Sequence, residues 1–362
     1  MQTAVTTDRP LRAGGARQHH YIPRWFLENF TENGKIARIE LGGGKPPVIT
    51  TVKNVAVERD LYTIRLPEQG RTSRVEDELA VIDGAAANPI RQLLATGDLD
   101  ISEEDRQAIL NLIASLWVRG PRWRRQQEAF GDLAIKMEIN RAPNASAVQE
   151  ILTKRVGQEV PISEAVEIKR RVAAGEVEFA PIGDEITLRM LDETRRGAVD
   201  LRYYRWELIR NLPAPLVLPD TPVVVQPVMR TAPVEHQPRG WSAIQLPLSP
   251  STLLCLLPPA RAEFGPQHYF APHLNQLRWE IANWCFQEIF CAPSSANEAS
   301  LLVAGRPTPP LGVTRDNAHN IGVRVDGLDC SPLRPRHRRV SWALTKAEER
   351  QQVRGFEGDV RQ

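Results

Sequence analysis

Hydrophobic and polar positions at the N-terminal end of the chain predict a short helix followed by strands. The stretch WFLENF comes soon after Pro23, and proline suits the first position of a helix, so we expect a helix over residues 23–30. An Asn-Gly turn in TENGKIARIEL then leads into a strand. The segments PPVITTV and LYTIRL are typical of two further strands.

The pattern becomes helical over about residues 73–200. Ser73 and Glu76 have the spacing of a capping box at the start of the first of these helices. Gly120-Pro121 predicts a break between two later helices. The helix before this break carries an apolar stripe at helical spacing, formed by Ile109, Ile113, Leu116 and Trp117.

Short β-rich segments separated by prolines return over about residues 202–258 and predict an antiparallel sheet. A closing helix is predicted at about 272–290, with an apolar stripe formed by Leu274, Leu277, Ile281 and Trp284. Strands from both ends of the chain therefore frame a helical middle. This order predicts the α+β class, with a mixed or antiparallel sheet.

These patterns divide the chain into three parts. We expect a flexible leader over residues 1–16, a single α+β domain over 17–292, and a partly irregular extension rich in proline and arginine over 293–362. The extension contains PLRPRHRR, which holds four arginines and no acid. Such a segment is usually a solvated arm, although it could also bind nucleic acid electrostatically.

Composition narrows the class of protein. The 362 residues are 42% hydrophobic and 25% charged, as in a globular protein, and the net charge of +2 does not require a nucleic acid or membrane partner. The four cysteines form no CxxC pair, which favours a reducing compartment over a disulfide framework. The first residues lack the apolar run of a secretory signal, and prolines interrupt the most apolar window. We therefore expect a cytoplasmic protein without a membrane span.

The stretch QHHYIPRWFLENF raises a chemical question because His20 comes directly before the predicted helix. The positive end of that helix, together with Arg17 and Arg24, disfavours a protonated imidazole and should lower the pKa of His20. A neutral imidazole can accept a proton or bind a metal ion. The alternative is structural: His20 or His19 would bond a backbone carbonyl and close the N-terminal segment.

The same stretch resembles the signature of a widespread bacterial family, domain-of-unknown-function family 4238. That signature is a His-x-x-Pro motif followed by an aromatic helix that ends in Asn-Phe. His20 and Pro23 stand at the motif positions here, and Leu27, Asn29 and Phe30 complete the block. The resemblance implies no reaction, because the family has none to carry over.

Further segments resemble the family in the same order over about residues 17–292. They are VKNVAVERDLY with Asn54 and Tyr62, VEDELAVIDG, LWVRGPRWRR with Arg119 and Pro121, VLPDTPVVV, LPLSPSTLLCLL, and LNQLRWEIANWCFQEIF. Two positions depart from the family pattern. The turn around Asp220 reads Pro-Asp-Thr-Pro where the family has Ser-Asp-Asn-Pro, and Asp83 stands where a glutamate is expected.

The acidic residues of these segments suggest a metal site. Glu76 and Asp83 would share one face of a helix but lie roughly 10 Å apart along its axis, too far to hold one ion together. Either of them could join His20 and Asp220 in a site for Mg²⁺, Mn²⁺ or Zn²⁺. The candidate catalytic residues are therefore His20, Asp220, Glu76 and Asp83, with His20 and Asp220 as the candidate metal ligands.

A second group of polar residues could bind a ligand or a phosphate; it consists of Arg119, Arg122, Asn29, Asn54 and Asn275. Each candidate also has a structural interpretation. Glu76 can complete a capping box, and Asp220 can form an Asx turn. The arginines can form a solvated helix face, and the asparagines can end helices or turns.

Two hypotheses for function follow. The first is a metal-dependent hydrolase that acts on a phosphodiester, nuclease-like and suited to defence against foreign DNA. It requires His20, Asp220 and one of the helical carboxylates to converge. The second is a non-catalytic binding or interaction module that uses a polar pocket around His20. It predicts that these residues stay apart or bond to backbone groups.

Overall fold

The computed structural model describes most of the chain between residues 18 and 305. The described ranges are 18–42, 44–59, 61–62, 64–66, 70–72, 74–177, 179, 183–227, 242–258, 274–305, 322–323 and 340–341. The predicted leader at 1–16, Arg17, and the predicted helix cap Ser73 lie outside these ranges, as does most of the predicted basic extension.

The predicted helical middle is present as six consecutive helices, α2 to α7. The described helices are α1 (Arg24–Glu28), α2 (Arg74–Thr96), α3 (Glu103–Val118), α4 (Pro121–Arg141), α5 (Ala145–Val156), α6 (Ile162–Ala174), α7 (Gly183–Asp200), α8 (Leu274–Asn283) and α9 (Ala296–Leu302). None of these helices combines the length and the apolar character that crossing a bilayer requires.

Strands lie on both sides of the helical middle in the sequence. They are β1 (Gln18–His20), β2 (Ile36–Glu40), β3 (Val48–Thr50), β4 (Val57–Arg59), β5 (Ile64–Leu66), β6 (Gly70–Thr72), β7 (Arg205–Ile209), β8 (Leu218–Pro219), β9 (Val224–Pro227), β10 (Ser242–Ser249), β11 (Thr252–Leu257), β12 (Glu288–Cys291), β13 (Gly322–Val323) and β14 (Val340–Ser341). The Asn-Gly turn before β2 is also present, and Asn33 and Gly34 both have positive φ.

The described strand pairs are all antiparallel, which confirms the α+β class. One four-stranded sheet has the order β7-β11-β10-β9, and a second has the order β3-β2-β12-β8. The second sheet joins N-terminal strands to C-terminal strands, as the sequence predicted. Three two-stranded pairs, β1-β4, β5-β6 and β13-β14, complete the described pairings.

Side chains of β11 and β12 belong to two different apolar clusters, because successive residues of a strand point to opposite faces of the sheet. Leu254 and Leu256 of β11 and Phe290 of β12 belong to the larger cluster, which also contains the buried faces of α2 and α3. Cys255 and Ile289 belong to the second cluster, together with α8 and α9. This second cluster extends past the boundary predicted at residue 292, since Ala299 and Val303 of the predicted extension are buried in it.

A third apolar cluster holds α5 and α6 against the C-terminal half of α4. Its buried members include Ile139 of α4, Val148 of α5 and Ala165 of α6. None of its members belongs to the two clusters around the sheets. This group of helices therefore has a small core of its own.

Two predicted boundaries change in the structure. Helix α1 is shorter than predicted, because Pro23 (ψ 141°) serves as the N-cap instead of the first helical residue. The predicted closing helix at 272–290 is wrong in its second half: α8 ends at Asn283, and Glu288–Cys291 forms strand β12. Strand β12 pairs with β2 and β8, which are far away in the sequence, so local periodicity could not reveal it.

Candidate functional site

The break between α3 and α4 positions the central arginine of the candidate site. Ser102 caps α3 by accepting a backbone N–H of the first turn, and α3 ends at Val118. Gly120 is the N-cap of α4, and Pro121 takes its first position, where a missing N–H costs nothing. Arg119 lies between these two helices and is only 2% exposed.

Arg119 forms an ion pair with Asp83 of α2 through one nitrogen only. Its Nη1 lies 2.9 Å from Oδ1 and 3.1 Å from Oδ2 of the carboxylate. Its Nε and Nη2 atoms are buried, and neither has a hydrogen-bond partner among the described residues. The guanidinium therefore keeps two parallel donors on one edge that Asp83 does not use.

Tyr62 supplies a further unused donor at the same place. The residue is 3% exposed, and within the described part of the chain its hydroxyl has no hydrogen-bond partner. Tyr62 and Arg119 line one pocket and interact electrostatically. Arg124 also lines this pocket, and its Nη1 donates to the Leu61 carbonyl at 3.0 Å, which fixes the turn that carries Tyr62.

The pocket combines polar and apolar walls. Its polar lining is Tyr62, Arg119, Arg124 and Thr187, and its apolar lining is Leu61, Val118, Trp123, Ile186 and Met190. It is partly open to solvent and has room for about one water molecule. An entering chemical group would therefore have to be small, and it would meet buried hydrogen-bond donors.

The electrostatic environment keeps the Tyr62 hydroxyl protonated. Burial raises the pKa of Tyr62 well above its ordinary value, although the nearby Arg119 charge acts in the opposite direction. Burial also raises the pKa of Asp83, again against the effect of Arg119. At neutral pH the pocket thus presents an O–H donor and N–H donors, which suit an anionic or strongly accepting group.

The histidine that contacts a carboxylate is His19, not His20. The His19 ring is buried and stacks on Tyr62, with centroids 5.4 Å apart and 14° between the planes. Its Nδ1 accepts the Tyr62 N–H at 3.0 Å, and its Nε2 lies 3.5 Å from Oε2 of Glu76. Because Nδ1 is the acceptor, Nε2 carries the ring hydrogen and points to Glu76. His19 thereby holds Tyr62 in position through the ring stack and the backbone hydrogen bond, and Glu76 contacts His19 in turn.

His20 lies in a different environment. It is half-buried, and its Nε2 lies 3.1 Å from the carbonyl oxygen of Val52, as the structural interpretation predicted. The pKa of His20 is lowered mainly by burial and to a smaller extent by the Arg24 charge, while the bond to Val52 opposes the shift. The direction agrees with the sequence prediction, but burial is the main cause.

Asp220 is fully buried and bonds to the backbone. Its carboxylate accepts the N–H groups of Phe286 at 2.6 Å, Gln287 at 2.7 Å and Glu288 at 3.2 Å. Burial raises its pKa to about 7, although these three N–H donors act to lower it. Glu288 is a second acidic residue at this turn, and its Oε1 accepts a hydrogen bond from the Tyr21 hydroxyl at 3.0 Å.

The remaining candidates are spread over the molecule. Arg122 stacks on Trp284 and donates to its carbonyl oxygen at 3.1 Å. Asn29 is the C-cap of α1, and Asn54 donates to the Thr50 hydroxyl at the end of a 3-10 turn. Asn275 is an exposed residue of α8.

The structure thus brings Asp83 and Arg119 together and places Glu76 beside His19. Among the described residues, no three His, Cys, Asp or Glu side chains lie close enough to hold one metal ion. The site residues that sequence reasoning missed are His19 and Thr187. The sequence analysis named Tyr62 only as part of a segment that resembles the family. The contacts of these residues depend on packing between remote segments, which the local sequence does not encode.

Comparison with known proteins identifies the family of the chain. The family model described as "Protein of unknown function (DUF4238)" matches residues 18–295. No curated protein and no solved structure gives a significant match. The matched region contains His19 and Asp83 and all the residues that line the candidate pocket. The chain belongs to the DUF4238 family.

Proposed function

We propose that the protein is a binding module that holds the anionic group of a ligand in the pocket between Tyr62 and Arg119. One observation carries the proposal: Arg119 is 2% exposed, yet its Nε and Nη2 atoms have no partner among the described residues. Buried polar groups are normally hydrogen-bonded, and a buried donor without an acceptor costs free energy. A bound anion would supply the missing acceptors.

The pocket's surroundings support binding more than catalysis. His19 has both ring nitrogens engaged, one with the Tyr62 N–H and one toward Glu76, so neither is free to accept a proton from a substrate. Asp83 is held by Arg119. These contacts are those expected of a rigid, preformed site whose donors are ready before the ligand arrives.

The experiment compares thermal unfolding in sodium chloride with unfolding in sodium acetate, phosphate or sulfate at equal ionic strength. A ligand that binds only the folded state raises the melting temperature. At least one anion should raise it for the natural protein and fail to do so for Asp83→Asn/Arg119→Gln, which removes both charges of the pair. Arg125→Gln, on the exposed face of α4, is the matched control and should behave like the natural protein. The proposal is wrong if all three proteins respond equally to every anion.

A metal-dependent phosphodiesterase is the second proposal, and Arg119 and Arg124 support it because they could hold a phosphodiester. Its assay is cleavage of bis(4-nitrophenyl) phosphate in the presence of Mg²⁺ or Mn²⁺. It predicts cleavage that is lost in His20→Ala while the protein stays folded. Turnover that does not depend on the metal ion or on His20 would reject it.

A cytoplasmic location is part of the proposal. Cys255 and Cys291 are buried thiols without a disulfide partner among the described residues, which suits a reducing compartment. Binding of nucleic acid would depend on the basic stretch after residue 332, which lies outside the described residues. It is therefore an expectation from sequence alone.

A further inference from the structure

We infer that the group held by Arg119 and Tyr62 is a carboxylate on an apolar body, and that the pocket selects it over phosphate and sulfate. This inference rests on the proposed function, since it concerns the same pocket. It goes further by naming the chemical class of the ligand. Three features of the site carry it: the edge of the guanidinium that is left open, the charge balance and the walls.

The first feature is the geometry of the open edge. Asp83 uses Nη1 of Arg119, so the free donors are Nε and Nη2, which lie side by side in the plane of the guanidinium. Two parallel N–H donors match the two oxygens of a planar carboxylate. The Tyr62 hydroxyl, buried and unpaired among the described residues, can donate a third hydrogen bond to one of those oxygens.

The second feature is the charge balance. Each arginine at the pocket already faces a carboxylate: Asp83 lies 2.9 Å from Arg119, and Glu128 lies 3.8 Å from Arg124. The pocket therefore lacks the excess of positive charge that stabilises a dianion such as sulfate or hydrogen phosphate. A monoanion adds one negative charge and meets less repulsion from Asp83.

The third feature is the polarity of the walls. Ile186 and Met190 line the pocket and have no hydrogen-bond donor for additional oxygens. They can instead contact the hydrocarbon part of a small acid.

The test measures affinity by isothermal titration at constant ionic strength. The probes are isobutyrate, N-acetyl-leucine, N-acetyl-leucine amide, phosphate and sulfate. We expect isobutyrate or N-acetyl-leucine to bind at least tenfold more tightly than phosphate and sulfate, and we expect the amide not to bind. Tighter binding of isobutyrate indicates a small free acid, whereas tighter binding of N-acetyl-leucine indicates the end of a peptide.

Two variants connect this selectivity to the named atoms. Arg119→Lys keeps the charge opposite Asp83 but removes the two-donor edge, so carboxylate affinity should fall at least tenfold. Tyr62→Phe keeps the ring that stacks on His19 and removes only the hydroxyl, so affinity should fall several-fold. Arg125→Lys is the control and should not change affinity. If Arg119→Lys does not fold, as judged by circular dichroism, Tyr62→Phe still tests the inference.

The outcomes separate the inference from the function on which it rests. Phosphate or sulfate binding that depends on Arg119 and equals or exceeds carboxylate binding overturns the carboxylate inference and leaves anion binding intact. Equal binding of the acid and its amide also overturns it. If no probe binds in a way that depends on Arg119 or Tyr62, both the inference and the proposed function fail.

Discussion

At the residue scale, the two neighbouring histidines should differ in their contribution to stability. His19 is buried, stacks on Tyr62 and accepts its backbone N–H, whereas His20 is half-buried and bonds one carbonyl. Removing the His19 ring leaves a cavity and a backbone N–H without its acceptor. We expect His19→Ala to lower the free energy of unfolding by about 2–4 kcal/mol.

His20→Ala is the matched comparison and should cost about 1 kcal/mol, since it removes one partly exposed hydrogen bond. Urea unfolding followed by circular dichroism measures both values. A larger loss for His20 than for His19 would contradict the assignment of His19 as the residue that supports Tyr62. The sequence could not show which of the two histidines is buried at the site, because His19 contacts Tyr62 and Glu76, which lie more than 40 positions away.

At the element scale, Arg119 directly follows α3, and the N-cap of α3 can be tested directly. The Ser102 hydroxyl accepts the Asp105 N–H at 3.0 Å, so Ser102→Ala should lower the free energy of unfolding by about 1 kcal/mol. Ser115→Ala makes the same chemical change within the same helix. Because the Ser115 hydroxyl is buried without a partner among the described residues, that variant should be neutral or slightly stabilising. Equal losses in the two urea unfolding curves would reject the capping role.

The same scale shows how far the sequence predicts the fold. Helices α3 and α4 follow from apolar periodicity and from the Gly120-Pro121 break, because these are local signals. The predicted helix at 272–290 ends early because Asp220, more than 60 residues away, binds the N–H groups of Phe286 and Gln287. Strand β12 then pairs with two remote strands. Long-range contacts of this kind also build the Arg119 pocket, which explains why its residues were only partly predicted.

At the scale of the whole molecule, the turn that Asp220 holds links the N-terminal and C-terminal strands. Its carboxylate holds the turn before β12, and its own N–H donates to the Glu288 carbonyl at 3.0 Å. Tyr21, next to β1, bonds the side chain of the same glutamate. The Nε atom of Arg38 in β2 lies 3.6 Å from the other carboxylate oxygen of Glu288, Oε2. Protonation of the buried Asp220 and the partly buried Glu288 is therefore linked to the packing of the N-terminal and C-terminal strands.

This linkage predicts that stability falls as the pH rises toward neutrality. Burial raises the pKa of Asp220 to about 7, above its unfolded value of about 3.9. Between these two values the folded state holds a proton that the unfolded state has released. The Asp220 contribution is therefore complete below about pH 4 and is lost as the pH rises through about 7, with an upper limit of about 4 kcal/mol. Burial also raises the pKa of Glu288, which adds to the effect in the same direction.

Urea unfolding at a series of pH values between 4.5 and 8 measures this effect. Asp220→Asn cannot titrate at this position, so its free energy of unfolding should change less over this range, even if the variant is less stable at every pH. Asp192→Asn, on the exposed surface of α7, is the control and should follow the natural protein. If the natural protein and Asp220→Asn show the same pH dependence, the buried carboxylate at the β12 turn is not the titrating group. The loss of stability would then have to come from another acid, and Glu288→Gln would be the next variant to measure.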